Sequence, residues 1–425
     1  MTPRPRAVVV VTGSELVRGE RTDRNGPFLA AEALSRGLEP SRITIVGDAP
    51  AELEAVLREG LDADACLISG GLGPTHDDRT VELVAQAAGL ELVVDEELEQ
   101  EIESISRSVA DRLGRPYADC APGVTKQATR PVSAVSIGLA GTAPGLVFRA
   151  PTGCVVVVLP GPPGELRRLW PSALASEPMR ELLKRTTPPG RRVLRLFGVS
   201  ESAVARALDD AGGDGDGVEA TICAREFEIH VDLVVDAGAD ERADALDAAL
   251  TRQLEEWLFA RDERRVEELV LSLAGARGLR LATAESCTGG MVAARLTDVS
   301  GSSASFVGGV VAYSDDVKRA ELDVPEELLV QHGAVSAEVA AAMAEGARRR
   351  LGADLAVAVT GVAGPEGGTP EKPVGRVHLH AAGPGGSLAR MLDLPGEREQ
   401  VRLRATVTAL HLLRALLTGS REEAA

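Results

Sequence analysis

At 425 residues the chain is too long for a single core, and a prior of about 150 residues per domain points to two or three domains. Hydrophobic residues make up 44% and aromatic residues only 2%. That excludes intrinsic disorder, calls for cores of Ala, Val and Leu, and leaves few rings for stacking on bases. The formal net charge of −18 repels a phosphate polymer, so no nucleic-acid partner is expected, although a glycine turn or helix N-terminus still accommodates a small anion.

The opening AVVVVTG reads as a buried first strand, since its apolar run is shorter than a signal peptide needs. GPFLAAEALSRG carries helical spacing, RITIVGD is a second strand, and PAELEAVLREGL is a helix with Pro50 at its start. DACLISGG and DRTVELVAQAAG repeat the pair, and this alternation predicts a parallel sheet with right-handed crossovers. GTAPGLVF and CVVVVLPGPPGEL add two strands, and TTPPG at 186–190 reads as a linker. A smaller βαββα unit follows: VLRLFG, ESAVARALDDA, VEATICA, FEIHVDLVVDA and the helix DERADALDAALTRQLEEWL. Its order is KH-like, but it is not basic and has no GXXG clamp between helices, so it is read as a spacer or dimer element.

From about residue 262 a third unit runs through the helix RRVEELVLSLAGARG and the strand LRLATAE to the SCTGG turn and its helix. The strand FVGGVVAYS, a helix capped by Ser336, the strands DLAVAVTG and GRVHLHAAG, and a closing helix complete it. The expected class is α/β: two three-layer α/β domains with mainly parallel sheets, over 1–172 and 262–425, joined by a small α+β module at 190–260. The five cysteines (Cys66, Cys120, Cys154, Cys223 and Cys287) are scattered, which suggests neither a disulfide framework nor a zinc pair and fits a reducing cytoplasm. No run is long enough to be a membrane span. A symmetric homodimer is the expected state.

Chemistry concentrates late in the chain. A serine hydroxyl needs a base to attack, and a lysine serves as one only when desolvated. Ser302 and Ser303 precede the strand FVGGVV, and Lys318 follows it. Ser286, Thr288, Gly289 and Gly290 lie where a strand turns into a helix, where free N–H groups would bind an oxyanion or a phosphate. TGVAGPEGG, with Thr360, Gly361 and Gly364, makes a second such turn. The plainer readings are helix caps, a surface lysine, and a packing role for Cys287. His378 and His380 share a strand face but have no third ligand nearby, so a metal is not expected there.

ESCTGG, GSS, Tyr313-x-x-x-x-Lys318, HGAVS, TGVAGP-x-GG and KPVG occur in an order and spacing that resembles the C-terminal domain of the CinA family, over 262–425. That family is known as nicotinamide-nucleotide amidases. The resemblance implies hydrolysis of nicotinamide mononucleotide (NMN) to nicotinic acid mononucleotide and ammonia, without a cofactor. It implies Ser303 or Ser286 as nucleophile, with Ser303 preferred, Lys318 as general base and Tyr313 beside them. Thr288, Gly289, Gly290, Thr360, Gly361, Gly364 and Arg398 would contact the nucleotide. One departure is visible: Asp315 stands where the family usually has Asn, placing an acid beside the base.

GGLGPTHDD, with Gly70, Gly71, Gly73 and Thr75, follows a strand and precedes a helix, the place for a phosphate-holding loop. Asp77 and Asp78 are candidate ligands for a divalent metal ion, and Glu15, Asp23 and Asn25 lie in the first strand–helix connection. The plainer reading of the two aspartates is acidic residues complementing a helix dipole. GSEL, D-x-N, GGLGPTHDD, KQA, GTAPG and LPGPPGE resemble, over 6–172, the molybdopterin-binding-like domain that opens CinA proteins. That implies ADP-ribose pyrophosphatase activity, and both ligands would belong to pyridine-nucleotide salvage. The alternatives are a pterin- or nucleotide-binding protein and a non-catalytic regulator of competence.

Overall fold

The computed structural model describes residues 4–119 and 121–419, so Cys120 lies outside the described residues. The chain divides after Gly190 into two compact units. In the first, Arg6–Thr12 is a strand of β-branched residues buried on both faces, as a central parallel strand must be. Val9 and Val11 enter one core with Leu29 and Trp170, while Val8 and Val10 enter another with Leu53, Leu57 and Phe148. Sheet order is Glu39–Val46, Arg6–Thr12, Ala65–Ser69, Val155–Leu159, Ala143–Arg149, Val135–Ala140. The first four strands are parallel and the last two run against their neighbours. Residues 150–154 are too short a link for a crossover, so Ala143–Arg149 folds back as a hairpin. The long helix Glu96–Leu113, capped by Asp95 through Leu98 N at 3.1 Å, packs on Ala121–Gln127 over a small core of its own.

The second unit holds two sheets. The larger has the order Phe306–Val311, Leu281–Glu285, Leu355–Gly361, Arg376–Gly383, Gly386–Asp393, with its first three strands parallel. Alternation along its central strands sorts residues by size. Leu281, Leu355, Val357 and Val359 meet the closing helix Arg398–Thr418 on one face. Ala282, Ala284, Ala356 and Ala358 meet the helix Ala337–Leu351 on the other. Ser336 caps that helix, its hydroxyl accepting from Val339 N at 3.3 Å, as its sequence predicts. A Cβ added at Gly346 would come within 1.9 Å of the Leu322 carbonyl oxygen, so only glycine permits this approach.

The smaller sheet, Val218–Arg225, Glu228–Val235, Gly190–Phe197 and Leu258–Ala260, encloses its own core with the helices Glu201–Asp210 and Asp240–Leu254. Its fourth strand falls where the sequence suggests continued helix: the helix stops at Leu254, and Leu258 pairs with Leu196 instead. The fold class is thus α/β with parallel-rich sheets plus a KH-like α+β module. Among the described residues no helix is long and apolar enough to cross a membrane.

The small sheet is bound to the closing helix through His411, whose imidazole stacks on Phe197 with centroids 3.7 Å apart and hydrogen-bonds to the buried Glu228 at 2.8 Å. Burial alone would raise the Glu228 carboxyl. The hydrogen bonds with His230 and His411 more than offset it and hold the group at about 2. A carboxyl depressed on folding stabilises above its ordinary value of 4.5, and that contribution is lost as pH falls towards 2. Acid titration of unfolding is therefore expected to cost the parent about 3 kcal/mol more across this window than Glu228→Gln. Parallel titration curves for the two proteins would contradict the assignment.

Candidate active site

Three parallel strands of the larger sheet in the second unit end side by side, and the loops beyond them carry the late motifs. The strand Leu281–Glu285 runs into Ser286-Cys287-Thr288-Gly289-Gly290 and then the helix Met291–Thr297. Gly289 and Gly290 take φ of 63° and 99°, the left-handed region open to glycine, and so turn the chain sharply enough to start a helix. Glu285, 1% exposed, reaches under this turn. Its carboxylate accepts from Gly290 N and Val292 N at 3.0 Å each and from Ala293 N at 2.9 Å. The amide of Gly289 returns to Ser286 O at 3.1 Å. The expectation of free N–H groups at Gly289 and Gly290 is therefore corrected: an internal carboxylate and a carbonyl occupy them. From the other side Arg402 donates to Cys287 O at 3.1 Å and Thr288 O at 2.8 Å. Thr288 Oγ1 is buried with no partner. The Cys287 thiol lies in the core, and burial pushes its pKa up to about 11, so it carries no nucleophilic thiolate.

The neighbouring strand Phe306–Val311 runs parallel, with Leu281 opposite Phe306 and Glu285 opposite Val311. Ser303 lies in the exposed 3-10 turn Ser302–Ala304 before this strand, whereas Tyr313 and Lys318 come after it. At about 3.3 Å per residue the strand separates its two ends by roughly 20 Å. Ser303 and Lys318 thus lie at opposite ends of the sheet, which corrects the expected pairing. Ser286 lies at the same end as the lysine, and the bond from Ala312 N to Glu285 O at 2.8 Å sets Tyr313 and Ser286 side by side. Lys318 sits one turn into the helix Asp315–Leu322 and is 1% exposed, with its Nζ 3.4 Å from Asp315.

The third strand, Leu355–Gly361, carries Thr360 as its next-to-last residue, whose hydroxyl donates to Ala334 O at 2.7 Å and so ties down the loop before Ser336. Arg398, first residue of the closing helix, donates to Gly364 O at 2.8 Å and to Tyr313 Oη at 2.9 Å. One guanidinium thereby links loops from two strands. His378 and His380 point to the face covered by Ala337–Leu351, where burial lowers the pKa of both. Among the described residues no group of three or more His, Cys, Asp or Glu side chains could hold a metal ion.

In the first unit Ser69 leads into Gly70 and Gly71, with φ of 107° and 67°. A Cβ on Gly70 would lie 2.6 Å from Thr12 O, and one on Gly71 would lie 2.1 Å from Thr80 Oγ1. The Thr75 hydroxyl lies 2.5 Å from carboxylate oxygens of both Asp77 and Asp78, and Lys126 Nζ donates to Thr75 O. The hydrogen bond from Thr75 holds the exposed Asp77 carboxyl below its ordinary range. Gly73 faces Asp78. A cavity of about 580 Å³ is lined by Thr12, Glu15, Asp23, Asn25 and Ser69 among others, which brings the first strand–helix connection to one place. Asp77 and Asp78 are not among its lining residues. Asp23 starts the helix Asn25–Ser35 by accepting from Asn25 N and Gly26 N. Asn25 donates to Ser69 Oγ and Gly161 O, while its Oδ1 and Thr12 Oγ1 are buried without partners, a built polar wall.

Three family models match the chain: a probable molybdopterin binding domain over 8–179, the damage-inducible protein CinA KH domain over 191–261, and the CinA C-terminal domain over 263–417. A CinA-like protein of Mycolicibacterium vanbaalenii is 44% identical over 97% of this chain and 99% of its own length. One from Mycobacterium marinum is 44% identical over the same shares. Among solved structures, the competence/damage-inducible protein of Agrobacterium tumefaciens is 44% identical, covering 37% of this chain and 99% of its own, with a TM-score of 0.35.

Glu285 is the site residue that motif reading passes over, although an acid just before a glycine turn and a helix start is the signal for it. Glu285→Ala strands three amide donors, one of them buried and two half-buried, and is expected to lower the unfolding free energy by about 3 kcal/mol, with a smaller loss for Glu285→Gln. Urea unfolding measures this, and an alanine variant as stable as the parent would contradict it.

Proposed function

The chain belongs to the CinA family, and from that premise we propose that its C-terminal site hydrolyses the carboxamide of NMN to nicotinic acid mononucleotide and ammonia. The observation that supports this is the grouping of Ser286, Tyr313 and a buried Lys318 beyond adjoining strand ends, with Arg398 bridging Tyr313 to the Gly364 loop.

Ser286 Oγ attacks the carboxamide carbon while Lys318, as general base, takes its proton. The tetrahedral intermediate collapses, Lys318 returns the proton to the departing nitrogen, and ammonia leaves. Water then attacks the ester with Lys318 again as base, releasing the acid and restoring the serine. The Arg398 guanidinium, beside the Tyr313 hydroxyl, suits an anionic group of the nucleotide. The reaction calls for no metal.

Purified protein incubated with NMN, with ammonia and product identified, tests the reading. Ser286→Ala and Lys318→Ala are each expected to lose more than about a hundredfold in turnover, while Ser303→Ala retains it. Loss in Ser303→Ala with retention in Ser286→Ala would overturn the assignment, and full activity in Lys318→Ala would remove the base.

For the first unit we infer a metal-dependent hydrolysis of ADP-ribose at the Gly70–Asp78 loop. Asp77 and Asp78 supply two carboxylates about Thr75 with no third protein ligand among the described residues. This suits a divalent cation that keeps most of its water and arrives with substrate phosphates. Chelation is expected to abolish ADP-ribose cleavage and leave NMN deamidation unchanged. Equal ADP-ribose cleavage with and without chelator would refute the metal, and no cleavage under any condition would favour a pterin- or nucleotide-binding role.

A further inference from the structure

The hairpin joining Val218–Arg225 to Glu228–Val235 turns through Glu226 and Phe227, both at positive φ, 49° and 75°. A two-residue turn of this shape favours Asn-Gly, and an aromatic residue in the left-handed region is strained. The hairpin has no need of these side chains for its own closure. Both are used elsewhere. Glu226 pairs with Arg295 Nη1 at 2.7 Å, and Arg295 lies on the helix whose first turn Glu285 holds. The guanidinium of Arg404 lies over the Phe227 ring, 3.8 Å from its centroid. Arg404 in turn donates to Pro395 O at 2.9 Å, in the loop that leads into Arg398.

One line of contacts therefore runs from the hairpin tip to the proposed nucleotide site. Phe227 fixes Arg404, Arg404 fixes the loop at Pro395, and that loop begins the helix on which Arg398 grips Tyr313 and Gly364 and Arg402 grips the Ser286 turn. Six residues of helix separate Arg398 from Arg404, about 9 Å of rise.

We propose that the Glu226-Phe227 tip of the small module is a positioning element for the C-terminal site, with Phe227 setting the placement of Arg398 and Arg402. The inference rests on the amidase reading for its kinetic consequence but not for its structural one. The small module is then a brace for a binding site rather than a spacer.

Full-length Phe227→Gly removes the ring and relieves the backbone, so the hairpin is not weakened; Phe227→Tyr keeps the ring. The glycine variant is expected to raise KM for NMN by about five-fold or more with kcat within about two-fold, without a lower melting temperature, while the tyrosine variant matches the parent. Hydrogen exchange of the amides in 286–293 and 394–398 is expected to quicken in Phe227→Gly alone. Unchanged KM and unchanged exchange in the glycine variant would overturn the proposal. Should the parent not turn over NMN, the amidase reading fails and exchange alone decides: faster exchange supports the brace, and unchanged exchange removes it.

Discussion

A negative charge with almost no access to water holds the C-terminal site together. Glu285 is tolerable inside the protein because three backbone donors and the positive end of a helix surround it. Its position at the last residue of a strand fixes the direction of the next five residues, and Arg402 fixes them from the carbonyl side. The turn bearing Ser286 is thus held from both sides by oppositely charged side chains that bond to its backbone. A turn held in this way needs little reorganisation, which suits the nucleophilic role proposed for Ser286.

The fold was largely legible because its signals are periodic. The valines at 8–11 announce a strand buried on both faces, and Ser336 caps the helix its position suggests. Elements dictated by linker length and pairing were less visible. Val135–Ala140 and Gly386–Asp393 are strands because short turns return them to a neighbour, and neither shows a strong pattern of its own. At the site, motif spacing located the loops but did not settle the choice between the two serines. Sequence favoured Ser303 over Ser286, and only the parallel register of two strands shows that Ser303 is a strand's length from the lysine.

Strand-to-helix turns account for the glycines in both units. At Gly70 and Gly71 the backbone presses on Thr12 and Thr80, and at Gly289 and Gly290 it curls over a carboxylate. At the first pair glycine supplies both room and a positive φ, at the second the backbone angle. Both lie where a parallel strand hands over to a helix, the part of an α/β sheet where ligands gather.

The alanine face of the larger sheet has a consequence of its own. Because Ala282, Ala284, Ala356 and Ala358 are so short, the helix above them rides low, and Gly346 lets it settle against the Leu322 carbonyl. Thr360 is moored to Ala334, just ahead of that helix, so the thickness of this layer sets where the loop before Ser336 stands relative to the strand end. Bulkier residues on this face would push the helix, and the loop tied to Thr360, away from the strand ends, so these short side chains set the height of that loop.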